Sequence, residues 1–425
     1  MELIKEEISS FYLPSQLQFG ELIEFPNIRK IKQYTHRIYN RYPARSICTV
    51  PRSILQELKE QYNNPSDIKV LDCFMGSGTT AVETALQGMQ IFGVEVDTFA
   101  RLIAKVSTTV YNFEELIQLE STYSQIINNW RDFDIDEKYI PELTNIRYWF
   151  DDETFKQLLQ LKKAVYSLAK NKNDLDFLKI TFADIIKPCS KMERQSTKPY
   201  ISKKFAKVPS QVNETFIKSF KVHFQAIQDF SEYTDYQSNT INWIGNDATD
   251  FNSEGNIIDV AITSPPYANA FDYTHCIKIE SSWVDCINNA LLPVIRNNQV
   301  GYSTRGKRPV SEIVMEKINI YFDAIYLQDK IKAKALAAYF EDMYTNLQCV
   351  YKILKPNAFY HLIIGDNVVK GIVIPTHSII AQLGQEVGFE WTNFYEYKIK
   401  DHRTSIPRNG NGGKIEYEKV IVLKK

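Results

Sequence analysis

Residues 68–97 read IKVLDCFMGSGTTAVETALQGMQIFGVEVD, and this stretch decides the fold. The apolar run IKVLDCFM (68–75) has the length and composition of a buried strand. Gly76-Ser77-Gly78-Thr79-Thr80 supplies a turn, AVETALQG (81–88) a short helix closed by Gly88, and MQIFGVEVD (89–97) a second strand. A helix through FARLIAKVS follows. Strand, glycine turn, helix, strand and helix are the opening of a doubly wound, mostly parallel α/β sheet.

Three nucleotide-binding readings compete for LDCFMGSGTT. A phosphate-binding P-loop needs a lysine after its last glycine, and Thr79 stands there. A dinucleotide fingerprint needs a third glycine; Ala81 takes that place, which the pattern sometimes tolerates, so this reading stays open. The third reading is a ligand with a carboxylate, an amine and a nucleoside. Gly76 and Gly78 would let the backbone come close, N–H groups at the helix start would receive the carboxylate, and Glu95 would take both ribose hydroxyls. That set describes S-adenosylmethionine. A bare strand–turn–helix junction is the remaining alternative.

Outward from this unit, residues 112–240 are long, polar and helix-patterned, as in ETFKQLLQLKKAVYSLAK. INWIGNDATDF (241–251) and NIIDVAI (256–262) then resume the strand pattern. Asp247 either accepts from an adenine amine or caps the following turn. The second of these strands breaks into Thr263-Ser264-Pro265-Pro266-Tyr267. Proline fixes φ and donates no N–H, so a Pro-Pro pair ends the ladder and makes a stiff loop of outward-facing carbonyls. Later segments read as helices over 311–354, a strand over 357–367, a helix over 374–389 and an antiparallel pair over 391–400 and 418–425. Residues 1–30 carry no clear signal.

Together FMGSG with Glu95, NDA with Asp247, and SPPY resemble the amino-methylating DNA methyltransferases, which methylate the exocyclic amine of cytosine or adenine. THRIYNRYPAR (35–45) is similar to the family segment that closes over the methionine end of the cofactor. The resemblance covers residues 34–110 and 241–425. It implies a class I S-adenosylmethionine-dependent methyltransferase fold: a Rossmann-like, mostly parallel seven-stranded sheet with an antiparallel last strand and a helical insertion. Residues 1–111 would form the cofactor half, 112–240 the insertion and a candidate DNA-binding region, and 241–425 the catalytic half. The cofactor residues it implies are Tyr42, Pro43, Asp72, Phe74, Gly76, Gly78, Thr79, Thr80, Glu95 and Asp247. The catalytic residues are Ser264, Pro265, Pro266 and Tyr267. The serine form of the loop is most typical of the cytosine-N4 branch. An adenine-N6 enzyme is the first alternative and a tRNA guanine-N2 methyltransferase the second. A binding module without transfer and a dehydrogenase are less consistent with an intact SPPY.

The loop suits the chemistry. An exocyclic amine is a poor nucleophile because its lone pair is delocalised into the ring. Acceptors on both its hydrogens, such as the Ser264 hydroxyl and the Pro265 carbonyl, favour the pyramidal form that can take a methyl group. Tyr267 would stack on a base flipped out of the duplex. Pro188-Cys189 invites comparison with the cysteine nucleophile of cytosine-C5 enzymes, but it lies in the insertion and reads as a structural thiol.

A formal net charge of -1 excludes a uniformly basic nucleic-acid coat, so DNA contacts must be local. Lys187, Lys191, Arg194, Lys198, Lys203, Lys204 and Lys207 meet only Glu193 as an acid. Arg296, Arg305, Lys307 and Arg308 follow the catalytic loop, and Arg403 and Arg408 sit in a glycine-rich loop. Of these, Arg296, Arg305, Lys307, Arg308, Lys203 and Lys204 are the expected DNA contacts. Asp272 and Tyr273 are expected to line the base pocket. The six cysteines form no CxxC and no His/Asp/Glu cluster stands out, so no metal is expected. The charged start MELIKEEISS and the absence of a long apolar run point to a cytoplasmic bacterial protein acting at the nucleoid, without a membrane. Expected partners are double-stranded DNA and, by resemblance, a cognate restriction endonuclease.

Overall fold

The central strands of the sheet are short and apolar because both of their faces are covered; the strand Ile258–Thr263 buries all six of its residues. The structure, a computed structural model, describes residues 13–25, 31–43, 45–204, 206–234, 240–268, 272–301, 308–399 and 416–425. In chain order the described strands are β1 (Glu21–Ile23), β2 (Lys69–Asp72), β3 (Gln90–Val94), β4 (Asn242–Asp247), β5 (Asp250–Phe251), β6 (Ile258–Thr263), β7 (Leu354–Ile364), β8 (Asn367–Val369), β9 (Ile372–Ile374), β10 (Glu390–Lys398) and β11 (Tyr417–Lys424). The helices are α1 (Thr49–Lys59), α2 (Thr79–Leu86), α3 (Thr98–Thr108), α4 (Phe113–Asn129), α5 (Asp152–Leu168), α6 (Lys172–Cys189), α7 (Val212–Tyr233), α8 (Tyr273–Trp283), α9 (Leu291–Asn298), α10 (Glu312–Tyr326), α11 (Lys330–Ile353) and α12 (Thr376–Val387).

One sheet runs in the order β1-β10-β11-β7-β6-β2-β3-β4-β5, and β8 and β9 form a separate hairpin. β4, β3, β2, β6 and β7 are mutually parallel, while β11 lies antiparallel between β7 and β10. The seven strands from β4 to β10 are the expected class I methyltransferase sheet. The sheet has nine strands because two short ones extend its edges: β1 pairs parallel with β10, and β5 folds back antiparallel on β4. Strands of three and two residues are too short to leave a hydrophobic period in the sequence.

From β2 the chain winds outward through β3 to β4, and from β6 it winds the other way through β7. The strand order therefore reverses between β2 and β6, which pair through Val70 with Val260 and Leu71 with Ala261. In such sheets ligands bind outside the carboxyl ends of the strands at this reversal. The glycine turn leaves β2 here and Ser264-Pro265-Pro266-Tyr267 leaves β6 here.

The stretch between β3 and β4 is helical, as its pattern predicts. Its helices start on side-chain caps: Asn112 and Glu115 form a capping box on α4, Asp151 caps α5 and Asn171 caps α6. These helices do not bury a core of their own. Phe155, Phe177, Phe182 and Phe216 share one cluster with Tyr39 and Tyr42 upstream, Phe99 and Ile103 of α3, and Trp283 of α8. Arg41 crosses to Asp184 of α6, Nη2 to Oδ1 at 2.6 Å. The helix α8 itself, absent from the sequence reading, is capped by Asp272, whose Oδ1 accepts from the His275 N–H at 2.9 Å.

Candidate active site

A single cavity at the reversal is lined by Tyr42, Pro43 and Arg45, by Phe74 and Gly76, by Glu95, by Asn246, by Ser264 to Tyr267, by Tyr273, by Asn298 to Val300 and by Glu418. The expected cofactor residues Tyr42, Pro43, Phe74, Gly76 and Glu95 and all four expected catalytic residues thus share one wall-to-wall space. Tyr273 also lines it, while Asp272, expected beside it, does not and instead caps α8 and pairs with Arg296.

The turn after β2 is fixed by its backbone. Gly76 and Gly78 both have left-handed φ, +53° and +85°. A Cβ on Gly78 would lie 2.9 Å from the Ala104 Cβ, so this glycine lets α2 approach α3. The Gly76 N–H donates to Glu95 Oε2 at 2.7 Å, and the Asp97 N–H donates to Oε1 at 2.8 Å. Burial pushes the Glu95 carboxyl up to about 7 against these two donors. Gly78, Thr79 and Thr80 do not line the cavity, and the two threonines are buried.

Asp72 is buried and also stands outside the cavity lining. It joins the two strands: Thr263 Oγ1 donates to its Oδ1 at 2.5 Å, and the Phe74 N–H donates to the same oxygen at 3.1 Å. Burial raises its carboxyl to about 6, opposed by Thr263, the Phe74 N–H and Thr80. Asp247 accepts from the Thr249 N–H and hydroxyl at 2.8 and 2.7 Å, the turn-capping geometry of the two readings above. Its neighbours Asn246 and Ala248 line the cavity instead.

The Ser264-Pro265-Pro266-Tyr267 loop is held from a distance. The Tyr267 hydroxyl donates to Glu418 Oε1, and Tyr397 donates to the other oxygen of the same carboxylate. On the far side, Thr274 of α8 donates to Asp97 Oδ2 at 2.9 Å and accepts from the Gln299 amide. Arg45, Asn246, Gln299 and Glu418 escaped the sequence reading. Arg45 lay in THRIYNRYPAR and Asn246 in NDA, beside residues that were singled out; Gln299 and Glu418 sit in segments with no motif, and only the fold brings them in.

The basic stretches divide. Arg296 pairs with Asp272 Oδ2 at 2.6 Å, and Arg308 with the buried Asp342 at 3.1 Å. Lys203 and Lys204 are exposed on the segment between α6 and α7. Arg305, Lys307, Arg403 and Arg408 lie outside the described residues. Lys187 and Lys207 are not surface cations. Lys187 Nζ donates to the Ser196 carbonyl, and Lys207 Nζ donates to the Lys187 and Ser190 carbonyls at 2.6 and 2.9 Å. Lys207 thereby caps carbonyls at the end of α6, and Lys187 ties the helix end to the segment that follows it. Cys189 is fully buried, and burial raises its thiol to about 11, which suits a packing role.

Among the described residues, His36, Cys48 and Glu83 bring ligand-type atoms within 4.8 Å of one another. Arg52 already engages both Glu83 oxygens, Nε to Oε2 at 2.9 Å and Nη2 to Oε1 at 2.6 Å. Burial opposes ionisation there, yet Arg52 and His36 hold the carboxyl at about 2, so the group is an internal ion pair. No described helix is long and apolar enough to cross a membrane.

Comparison with known proteins agrees with this geometry. A family model described as DNA methylase, of the N6/N4 type, matches residues 8–106. The chain is 23% identical over 428 residues to the type II methyltransferase M.MvaI of Kocuria varians, covering 93% of this chain and 91% of that protein. It is 19% identical to the type II methyltransferase M.BsoBI of Geobacillus stearothermophilus, covering 87% and 82%. A solved S-adenosylmethionine-dependent methyltransferase from Methanosarcina mazei superposes with a TM-score of 0.29 at 9% identity, covering 87% of this chain and 96% of that one. With the glycine turn and SPPY on one cavity at the strand reversal, the chain is similar to the N6/N4 DNA methylases over residues 8–106 and to type II methyltransferases over most of its length.

Proposed function

We propose that this protein is a DNA methyltransferase that moves a methyl group from S-adenosylmethionine to the N4 amine of a flipped cytosine, as the modifying half of a restriction–modification pair. The observation that carries the proposal is the shared cavity: Gly76 and Glu95 form one wall and Ser264 to Tyr267 the other. The serine form of the loop favours cytosine, and the type II methyltransferases to which the chain is similar favour the restriction–modification setting.

The residues present fit the cofactor. Glu95 offers a carboxylate to the ribose hydroxyls, Gly76 keeps the turn clear of a side chain, and Arg45 places a guanidinium on the cavity wall for a carboxylate. When bound, S-adenosylmethionine supplies an electrophilic sulfonium methyl. The protein supplies alignment and charge stabilisation. The Ser264 hydroxyl and the Pro265 carbonyl accept from the amine, the rigid Pro-Pro turn fixes them, and Glu418 steadies the Tyr267 ring against the base. Lys203, Lys204 and the segment from Arg296 to Arg308, with Arg305 and Lys307 in it, contact phosphates.

The test is methyl transfer from labelled S-adenosylmethionine to duplex DNA, with the product digested to nucleosides and identified by mass. N4-methylcytosine is the expected product. N6-methyladenine would keep the site and change the base; labelled tRNA with unlabelled DNA would overturn the substrate.

A further inference from the structure

We infer that Gln299 reads the target base, its side-chain carbonyl accepting a hydrogen bond from the exocyclic amine; this rests on the cavity being the base-methylating site proposed above. Gln299 lines that cavity and is only 7% exposed. Its Nε2 donates to Thr274 Oγ1, while its Oε1 is buried and has no hydrogen-bond partner among the described residues. A buried amide oxygen left without a partner is costly, so a ligand donor is the natural complement.

The direction of the amide follows from the chemistry of its neighbours. The two ends of a glutamine amide look alike, and only the surrounding network says which is nitrogen. Here the network is unambiguous. Asp97 takes the Phe99 and Ala100 N–H groups on Oδ1 and the Thr274 hydroxyl on Oδ2. With Oδ2 accepting the Thr274 hydrogen, Thr274 can only accept from Gln299. The amide nitrogen is thereby turned to Thr274, and the oxygen is the end left to the cavity.

Position favours the base over the cofactor. A Cβ on Gly301, two residues on, would lie 3.2 Å from the Tyr267 carbonyl and 4.0 Å from the Pro266 Cβ, so the Gln299 segment rests on the catalytic loop. An amine with two hydrogens then faces Pro265, Gln299 and Ser264. The Pro265 carbonyl takes one of these hydrogens and Gln299 shares the other with the Ser264 oxygen, whose own hydrogen turns to the ring nitrogen beside the amine, an acceptor in both cytosine and adenine. A base whose edge presents a carbonyl at the amine position would set oxygen against oxygen, which makes Gln299 a filter against thymine.

The experiment uses the full chain and Gln299→Leu, with Gln299→Met as the second variant should the first fold poorly. Methyl transfer by the wild type to duplex DNA comes first; if there is none, the functional proposal itself fails. Modified positions are then mapped by sequencing. Binding is compared between duplexes carrying the natural base there and duplexes carrying an analogue without the amine. The wild type is expected to prefer the amine by about tenfold, the weight of one buried hydrogen bond, and the variant to lose that preference. Affinity for S-adenosylhomocysteine should stay within about twofold, well under the effect of one lost hydrogen bond. Thr274→Val, which frees the amide to turn over, should weaken the same preference. A preference that survives Gln299→Leu overturns the inference. So does a loss of S-adenosylhomocysteine affinity, which would assign the oxygen to the ammonium of the cofactor.

Discussion

The two walls of the cavity are built in different ways. The cofactor wall is mostly backbone: Gly76 and Asp97 N–H groups hold Glu95, and Gly78 lets two helices close up. The proposed base wall is steadied by side chains reaching across the fold, Tyr267 to Glu418 and Gln299 to Thr274, with Thr263 tied to Asp72 behind it. A backbone wall needs only a short stretch of chain to specify it. A side-chain wall exists only when distant elements have docked.

If the walls are separable, each can be broken alone. Ser264→Ala should cause the largest loss, about a hundredfold or more in the rate of transfer, the scale for removing one preorganised group. Its S-adenosylhomocysteine affinity, read by calorimetry, should hardly move; a parallel loss of both would merge the walls. Gly78→Ala should do the reverse. Its Cβ meets Ala104 at 2.9 Å on a backbone at φ +85°, so a destabilisation of about 1–3 kcal/mol and weaker cofactor binding are expected, measured by thermal melting and calorimetry.

The pH response sharpens the contrast further. Glu95 sits at about 7 in the fold against an ordinary 4.5. Between those values the folded chain holds a proton that the unfolded chain has released, so raising the pH through this window lowers stability. Asp72, at about 6, adds to the same slope. In the role proposed for Glu95 the ionised form accepts the ribose hydroxyls, so cofactor affinity should rise as the pH passes 7, opposite in sign to stability. Glu95→Gln should flatten the affinity profile; an unchanged profile would place the titration elsewhere. The smallest effect belongs to Arg308→Ala. Because Asp342 already engages this cation, DNA affinity should fall by less than about tenfold, with the salt dependence shallower by about one charge.

What the sequence revealed follows the same division. The β2–turn–α2–β3 unit and the Pro-Pro break after β6 were legible because each is local: left-handed glycines, a helix cap and an interrupted apolar run leave marks within ten residues. Arg45, Gln299 and Glu418 were not legible. Each is an ordinary polar residue in its own neighbourhood and gains a role only from contacts such as Tyr267 with Glu418, separated by 151 residues. The basic run around Lys187 misled for a related reason. Charge alone does not say whether a lysine faces water or folds back on carbonyls, and Lys187 and Lys207 do the latter. The sheet edges β1 and β5 were too short to register.

The anchoring of Tyr267 by Glu418 has a consequence for the timing of synthesis. Glu418 is translated 151 residues after the loop it steadies. At about 5–20 residues per second, the ribosome needs roughly 8–30 seconds to cover that distance. During that interval a nascent chain can already fold the glycine turn and hold Glu95 in place, yet its catalytic loop lacks its anchor. In the role proposed for the loop, methylating competence arrives only with the docking of β11, after the segments proposed to hold the cofactor have been made.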